Sequence, residues 1–180
     1  EEWAEALKAQ RARRLKQREA NFAAEAADGR PSEAKLKKLD SNVKKNSGLV
    51  KKLRSNLFES QRASIVADIS KLNLTKYIPE TVASLAAIAE LSKADIGTAV
   101  EAACLLHSRY KDFTAPLRTA VTGKLAEAVG ATDRKSTRVL LRFYTELTVA
   151  GVFGEAEVSR VAQAFERIIS LDLEQLNHLA

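Results

Sequence analysis

Three lysine doublets, Lys37-Lys38, Lys44-Lys45 and Lys51-Lys52, recur every seven residues in KKLDSNVKKNSGLVKK, residues 37–52. Seven residues is two helical turns, so on a helix each column repeats about every 10.5 Å. A column of one sign can meet phosphates or an acidic protein surface. It can equally be a solvated face, the usual role of charges on a packed helix. The neighbours divide the columns. Glu33 lies four residues before Lys37 and Asp40 four before Lys44, the favourable order for an i,i+4 ion pair. Lys38, Lys45 and Lys52 have no acidic residue three or four positions away. Those three, with Arg11, Arg13 and Arg14 upstream, are the candidate contacts for RNA or a partner.

Other chemistry is sparse. Cys104 and His107 are three apart on one expected helix, a spacing that permits a cysteine–histidine pair. The apolar surroundings favour a small core thiol instead. His178 stands alone, and neither histidine has a carboxylate at metal-binding spacing. No Gly-rich loop follows a strand, and neither zinc spacing nor a calcium loop is present. No catalytic residue, metal, cofactor or small-molecule substrate is expected. Trp3 reads as a docking anchor or as an incidental residue near a cut end, and no second aromatic accompanies it to make a base-stacking platform.

The elements that position these residues are helices. Ala, Leu, Lys and Glu abound, while Gly and Pro number 7 and 3 in 180 residues. Residues 3–27 predict an Arg- and Ala-rich helix with a thin apolar stripe of Trp3, Leu7, Leu15 and Phe22. Asp28-Gly29-Arg30-Pro31 breaks it. Ser32 then offers an N-cap to a helix over about 33–57, with its seam at Leu36, Leu39, Val43, Val50, Leu53 and Leu57. Asn46 occupies a polar d position in that heptad, and Gly48 predicts a bend. Further starts fall near 60, 79, 93, 115, 134, 155 and 172, marked by Ser60, Pro79, the box Ser92–Asp95, Asp112–Pro116 and Asp133; Gly151 and Gly154 end the helix that Asp133 opens. Short connections make successive helices antiparallel. Two helices per roughly 40 residues is the period of HEAT-type solenoids. A compact bundle is the competing architecture.

The expected fold is therefore all-α, a HEAT-like antiparallel helix-pair solenoid with a basic N-terminal helical extension. The expected divisions are a basic helix over 1–30, a long basic leading helix over 31–58, and a C-terminally incomplete helix-pair stack over 59–180. The chain begins without Met and reads as a piece of a longer protein, a truncated module. Charge follows these divisions. Residues 1–60 hold 15 Lys/Arg against 9 Asp/Glu, which accounts for the whole net charge of +6. Residues 61–180 hold 14 of each. No apolar run approaches the roughly 20 residues of a membrane span. A single cysteine suits a reducing compartment, cytoplasmic, with the perinuclear region or nucleus as alternatives.

LDSNVKKNSGLVKKLR (39–54), LNLTKYIPETVASL (72–85), LLHSRYKDF (105–113) and LRFYTELTVAGVF (141–153) together resemble a known family. It is the middle-domain family of eukaryotic initiation factor 4G, and the likeness is to the first such module in the scaffold of nonsense-mediated mRNA decay. The resemblance implies a right-handed stack of HEAT-like helix pairs. It also implies a non-enzymatic scaffold that organises other mRNA surveillance proteins on mRNA. The scaffold's described partner contacts belong to its last module and C-terminal tail, so no binding residue transfers to these positions. Two alternatives stand beside this reading. One is a direct, sequence-tolerant RNA-binding module that uses the basic leading helices. The other is a related module of the translation-initiation or splicing machinery.

Overall fold

The computed structural model describes residues 2–26, 29–55, 57–88, 95–154 and 156–177. Its α-helices are α1 (Glu2–Glu25), α2 (Glu33–Lys37), α3 (Val43–Ser55), α4 (Arg62–Lys71), α5 (Ile78–Ala86), α6 (Ile96–His107), α7 (Thr114–Gly130), α8 (Arg134–Val149) and α9 (Glu157–Asn177). Short 3-10 turns at Glu59–Gln61 and Thr75–Tyr77 lead into α4 and α5. The helices form an all-α solenoid. Alternate helices pack side by side, so α3, α5 and α7 make one layer and α4, α6 and α8 the other. Helix α9 continues the zigzag against α8, while α1 lies back across α6. No helix among the described residues is long and apolar enough to cross a membrane.

The core runs between the layers. Ile65 and Ile69 of α4, Leu85 of α5, Leu106 of α6, Leu117 and Val121 of α7, and Phe143 and Leu147 of α8 are each fully buried. Burying a side chain of this size contributes roughly 1.5–3 kcal/mol, which outweighs what such short helices lack in intrinsic stability. Punctuation sets most of the boundaries. Pro79 sits in the first turn of α5, and the Asp133 carboxylate accepts the Ser136 N–H at 3.1 Å to cap α8. Gly151, at φ 75°, turns the chain out of α8.

Several expectations change. The helix expected over 33–57 is two helices, and the break falls at 38–42 rather than at Gly48. Within LDSN, Asp40 Oδ1 accepts the Asn42 N–H at 2.9 Å, and Asn42 Oδ1 accepts the Lys45 N–H at 3.2 Å to begin α3. The Asp40 backbone pairs with the segment after α4, accepting from Asn73 N and donating to Lys71 O. Asx turns of this kind compete with helix wherever a neighbouring segment can fix them. The break rotates the seam. Val43 is 68% exposed, and the buried face of α3 is Asn46, Leu49 and Leu53. Ser60 does not cap α4, since it lies inside the preceding 3-10 turn. The separate stub near 172 is the continuation of α9. The box at 92–95 rests on residues 92–94, which lie outside the described residues; the Asp95 carboxylate accepts from Glu59 N at 3.1 Å.

Gly48 lies inside α3, and a Cβ built there meets nothing within 4 Å. Gly48→Ala should therefore raise the unfolding free energy by about 1 kcal/mol in urea titration. A loss of stability would show that this position needs its glycine.

Candidate functional site

The packing reassigns the lysine columns. Lys37 pairs with Glu33 at 2.8 Å, as the i,i+4 spacing predicts. Asp40 does not pair with Lys44. The helix break removes the i,i+4 geometry, and Asp40 takes Lys45 at 2.7 Å. That ammonium, then the Asn42 N–H, holds the Asp40 carboxyl below its usual range, and the Lys45 pKa is raised in return. Lys52 donates to Asp68 Oδ2 at 2.6 Å and to Ser64 Oγ at 3.1 Å, both on α4. The column that had no acidic neighbour in sequence thus has two of its three members in ion pairs. Lys38, Lys44 and Lys51 are exposed and have no ion pair or hydrogen bond among the described residues.

The arginines of α1 divide in the same way. Arg14 reaches Glu146 on α8 at 2.8 Å. Arg18 donates to Val149 O at 3.3 Å, and its guanidinium lies 5.2 Å from the centre of the Phe22 ring. These contacts hold α1 to the body. Arg11 and Arg13 are exposed, and neither makes an ion pair or hydrogen bond among the described residues.

The apolar stripe of α1 packs only in part: Phe22 lies against Gly151, where an added Cβ would meet its ring at 3.2 Å. Trp3 is 78% exposed and Leu15 61% exposed, which overturns the reading of Trp3 as an anchor. Asn21 and Ala24 are buried in their place. Asn21 Nδ2 donates to Ala150 O at 2.8 Å, and the Asn21 carbonyl faces His107 Nε2 at 3.4 Å. A carbonyl can only accept, so Nε2 carries the proton, and Nδ1 accepts from the Thr114 hydroxyl at 2.7 Å. Burial, then the charge of Arg30, pushes the His107 pKa below its ordinary value, opposed by the Asn21 carbonyl and by Glu25. Burial also pushes the Cys104 thiol up to about 11. Cys104 is a buried thiol held protonated, unsuited to act as a nucleophile. Sequence reading missed Asn21, whose only signal is being the one asparagine of an Ala/Arg helix. Among the described residues no cluster of three or more metal-ligating side chains occurs.

No family model matches the chain. It is 39% identical to human regulator of nonsense transcripts 2 over 161 residues, 86% of this chain and 12% of that protein. It is 36% identical to regulator of nonsense transcripts UPF2 of Arabidopsis thaliana, over 72% of this chain and 11% of that one. The crystal structure of the first MIF4G domain of human nonsense mediated decay factor UPF2 superposes with a TM-score of 0.77 at 35% identity, over 94% of this chain and 54% of that chain. The N-terminal mIF4G domain of Saccharomyces cerevisiae Upf2 gives 0.65 at 27% identity, over 79% of this chain and 48% of that one. The chain's homologues are UPF2 proteins, and its fold is that of their first MIF4G domain. It spans about an eighth of the length of the full UPF2 relatives.

The stretches that carry the UPF2 resemblance are fastened to one another. Tyr110, in LLHSRYKDF, accepts from Leu74 N at 2.9 Å and donates to Leu72 O at 3.3 Å, both in LNLTKYIPETVASL. Asp40, in LDSNVKKNSGLVKKLR, pairs through its backbone with the residues beside Leu72. Tyr144 and Phe153, at the two ends of LRFYTELTVAGVF, pack with ring centres 5.1 Å apart.

Two outcomes follow for the docking of α1. Asn21→Ala should release α1, so that trypsin cuts among Arg11–Arg18 about tenfold faster while the rest of the fold melts cooperatively. Trp3→Ala should leave both readouts unchanged, and unchanged cleavage of the Asn21 variant would remove that residue from the docking account. His107 is neutral in the fold and has a depressed pKa. Its contribution is complete above about pH 6.5, the unfolded value, and declines as the pH falls below it. His107→Gln should flatten the loss of stability between pH 7.5 and 5.5. A slope equal to that of the parent would assign the loss to other groups.

Proposed function

We propose that this chain is a non-enzymatic protein-interaction scaffold module of nonsense-mediated mRNA decay, which organises other surveillance factors on mRNA. The observation that carries the reading is the UPF2 homology across 86% of the chain, joined to the MIF4G-type stack. A rigid helix stack supplies grooves and edges for partners, and neither Cys104 nor His107 supports catalysis: burial pushes the Cys104 thiol up to about 11, and His107 is tied to Thr114 and to the Asn21 carbonyl. No small-molecule substrate, cofactor or membrane enters this reading. Affinity purification of the tagged chain from cell extract should retain surveillance factors. Retention of a DEAD-box helicase in their place would favour a module of initiation type.

The stack is proposed to be part of a larger MIF4G module. Phe165 and Ile169 are 47% and 57% exposed on one side of α9, with Val158 at 57%, while Ile168 packs half-buried against the core. Further helices stacked there would cover the exposed stripe. The 180-residue chain should therefore self-associate with rising concentration in sedimentation, and Phe165→Ser with Ile169→Ser should reduce that. A parent chain that stays monomeric at every concentration would count against it.

Direct RNA binding is the second reading, and Arg11, Arg13, Lys38, Lys44 and Lys51, exposed and without an ion pair or hydrogen bond among the described residues, favour it. On that reading Lys45, Lys52 and Arg14 contribute less, because Asp40, Asp68 and Glu146 already offset their charge. Single-stranded RNA affinity should fall steeply between 50 and 200 mM salt, as for phosphate binders generally, on the order of tenfold or more. Lys38, Lys44 and Lys51 changed to Glu should weaken it more than Lys38, Lys45 and Lys52 changed to Glu. Equal affinity in both triple variants and the parent would remove α3 from RNA binding.

A further inference from the structure

Helix α9 is pinned at its start and stands off from α7 along its length. The Glu157 carboxylate, almost fully buried in the first turn of α9, accepts the Tyr144 hydroxyl and is met by Arg118 of α7 at 3.4 Å and Arg160 at 3.3 Å. Its negative charge at a helix N-terminus is favourable, and both oxygens are occupied. Beyond this clasp, α9 packs on α8 through Val161, Ala164 and Ile168. Small residues then leave space between α9 and α7. Ala126 and Ala164 border it, and a Cβ built on Gly130 would meet nothing within 4 Å. The result is a groove of about 250 Å³.

Its lining has two characters. Leu125, Val129, Tyr144 and Ala164 give an apolar floor, and Arg160 and Arg167 supply cations from the α9 wall. No carboxylate among the described residues lines it. Arg160 shares its charge with Glu157, whereas Arg167 is exposed and makes no ion pair or hydrogen bond among the described residues. The two guanidiniums are seven residues apart, about 10.5 Å along the helix axis. The groove is smaller than the roughly 300–1,000 Å³ of pockets that enclose small molecules. It matches one large apolar side chain flanked by negative charge.

We infer that this groove docks an acidic segment of a partner protein, with one large apolar anchor on the Leu125–Tyr144 floor and carboxylates on Arg160 and Arg167. The inference rests on the scaffold reading and names a surface and a partner chemistry for it. A helical partner would place acids at i and i+7 with the anchor at i+4, whereas an extended one would place acids about three residues apart. RNA suits the groove less well. Tyr144 is 2% exposed and offers no face on which a base could stack, and an apolar floor gives bases no hydrogen bonds.

The test is panning of a random 12-residue phage-displayed peptide library on the chain, followed by fluorescence anisotropy of the selected peptides. The expected result is enrichment of Asp and Glu around one Leu, Phe or Trp. Affinity should weaken at least tenfold in Arg167→Glu and, separately, in Ala126→Trp, which fills the groove from an exposed position. Circular dichroism melts should confirm that both variants remain folded. Absence of binders, selection without acidic enrichment, or unchanged affinity in both variants overturns the inference. Displacement of the peptides by a uridine 12-mer, with RNA affinity itself lost in Arg167→Glu, reassigns the groove to phosphate and overturns it too. Surveillance factors retained from extract while no peptide binds would sink the groove and leave the scaffold reading standing. Peptide binding without such retention would do the reverse.

Discussion

Helix α6 is apolar nearly all the way round, and the rest of the molecule is arranged to cover it. Ile96, Ala99, Val100, Ala102, Ala103, Cys104, Leu106 and His107 are all buried, so one amphipathic partner could not satisfy it. Helices α4 and α8 take its two flanks, and α1 closes a further side. The one charged residue on α6, Glu101, is answered by Arg62 of α4. A central helix of this kind converts a row of short helices into one cooperative stack. Of these neighbours α4, at 10 residues, is too short to be stable alone in water.

Polar groups set the register within that apolar frame. The Tyr110 hydroxyl, held protonated by burial, bridges two backbone groups of the segment before α5. Asn21 does the equivalent for α1, and Glu157 for α9. Each is a buried group with its hydrogen-bonding capacity taken up by a different element, so a shift of one helix would leave it unpaired. Asn46 is the exception. Its side-chain amide is fully buried on α3 with no hydrogen-bond partner among the described residues. The sequence marks it as a polar residue on an apolar seam, and no physical account of it follows from its surroundings.

The basic surface is shaped by the same packing. Several cations of the first third hold the fold together, as Arg14, Arg18, Lys45 and Lys52 do, so the net positive charge overstates what faces a partner. What is left on α3 among the described residues is Lys44, Lys51 and Arg54, of which Lys44 alone has an acidic residue four positions before it in the sequence. The α7–α9 groove lies in residues 61–180, the part of the chain whose formal charge is zero. A locally cationic groove in a neutral region is invisible to a charge count, because Glu157 is buried in its own clasp while Arg167 is not.

By itself the sequence determined the helical class, most helix starts and the apolar residues of α4 to α8, because those follow from periodicity and from Pro, Gly and Asp at boundaries. The family likeness was legible separately, in the resemblance of whole stretches such as LNLTKYIPETVASL and LRFYTELTVAGVF. The tertiary structure alone decided which charges are available. Lys52 meets Asp68 sixteen positions away on another helix, and Asp40 passes from Lys44 to Lys45 only because its backbone bonds beside Leu72 break the helix. It also decided that Asn21, and not Trp3, docks α1. Apolar periodicity is a local property, fixed by the turn of one helix. Ion pairing and docking depend on which faces of distant helices come within about 4 Å, and that distance exists only after the helices have packed.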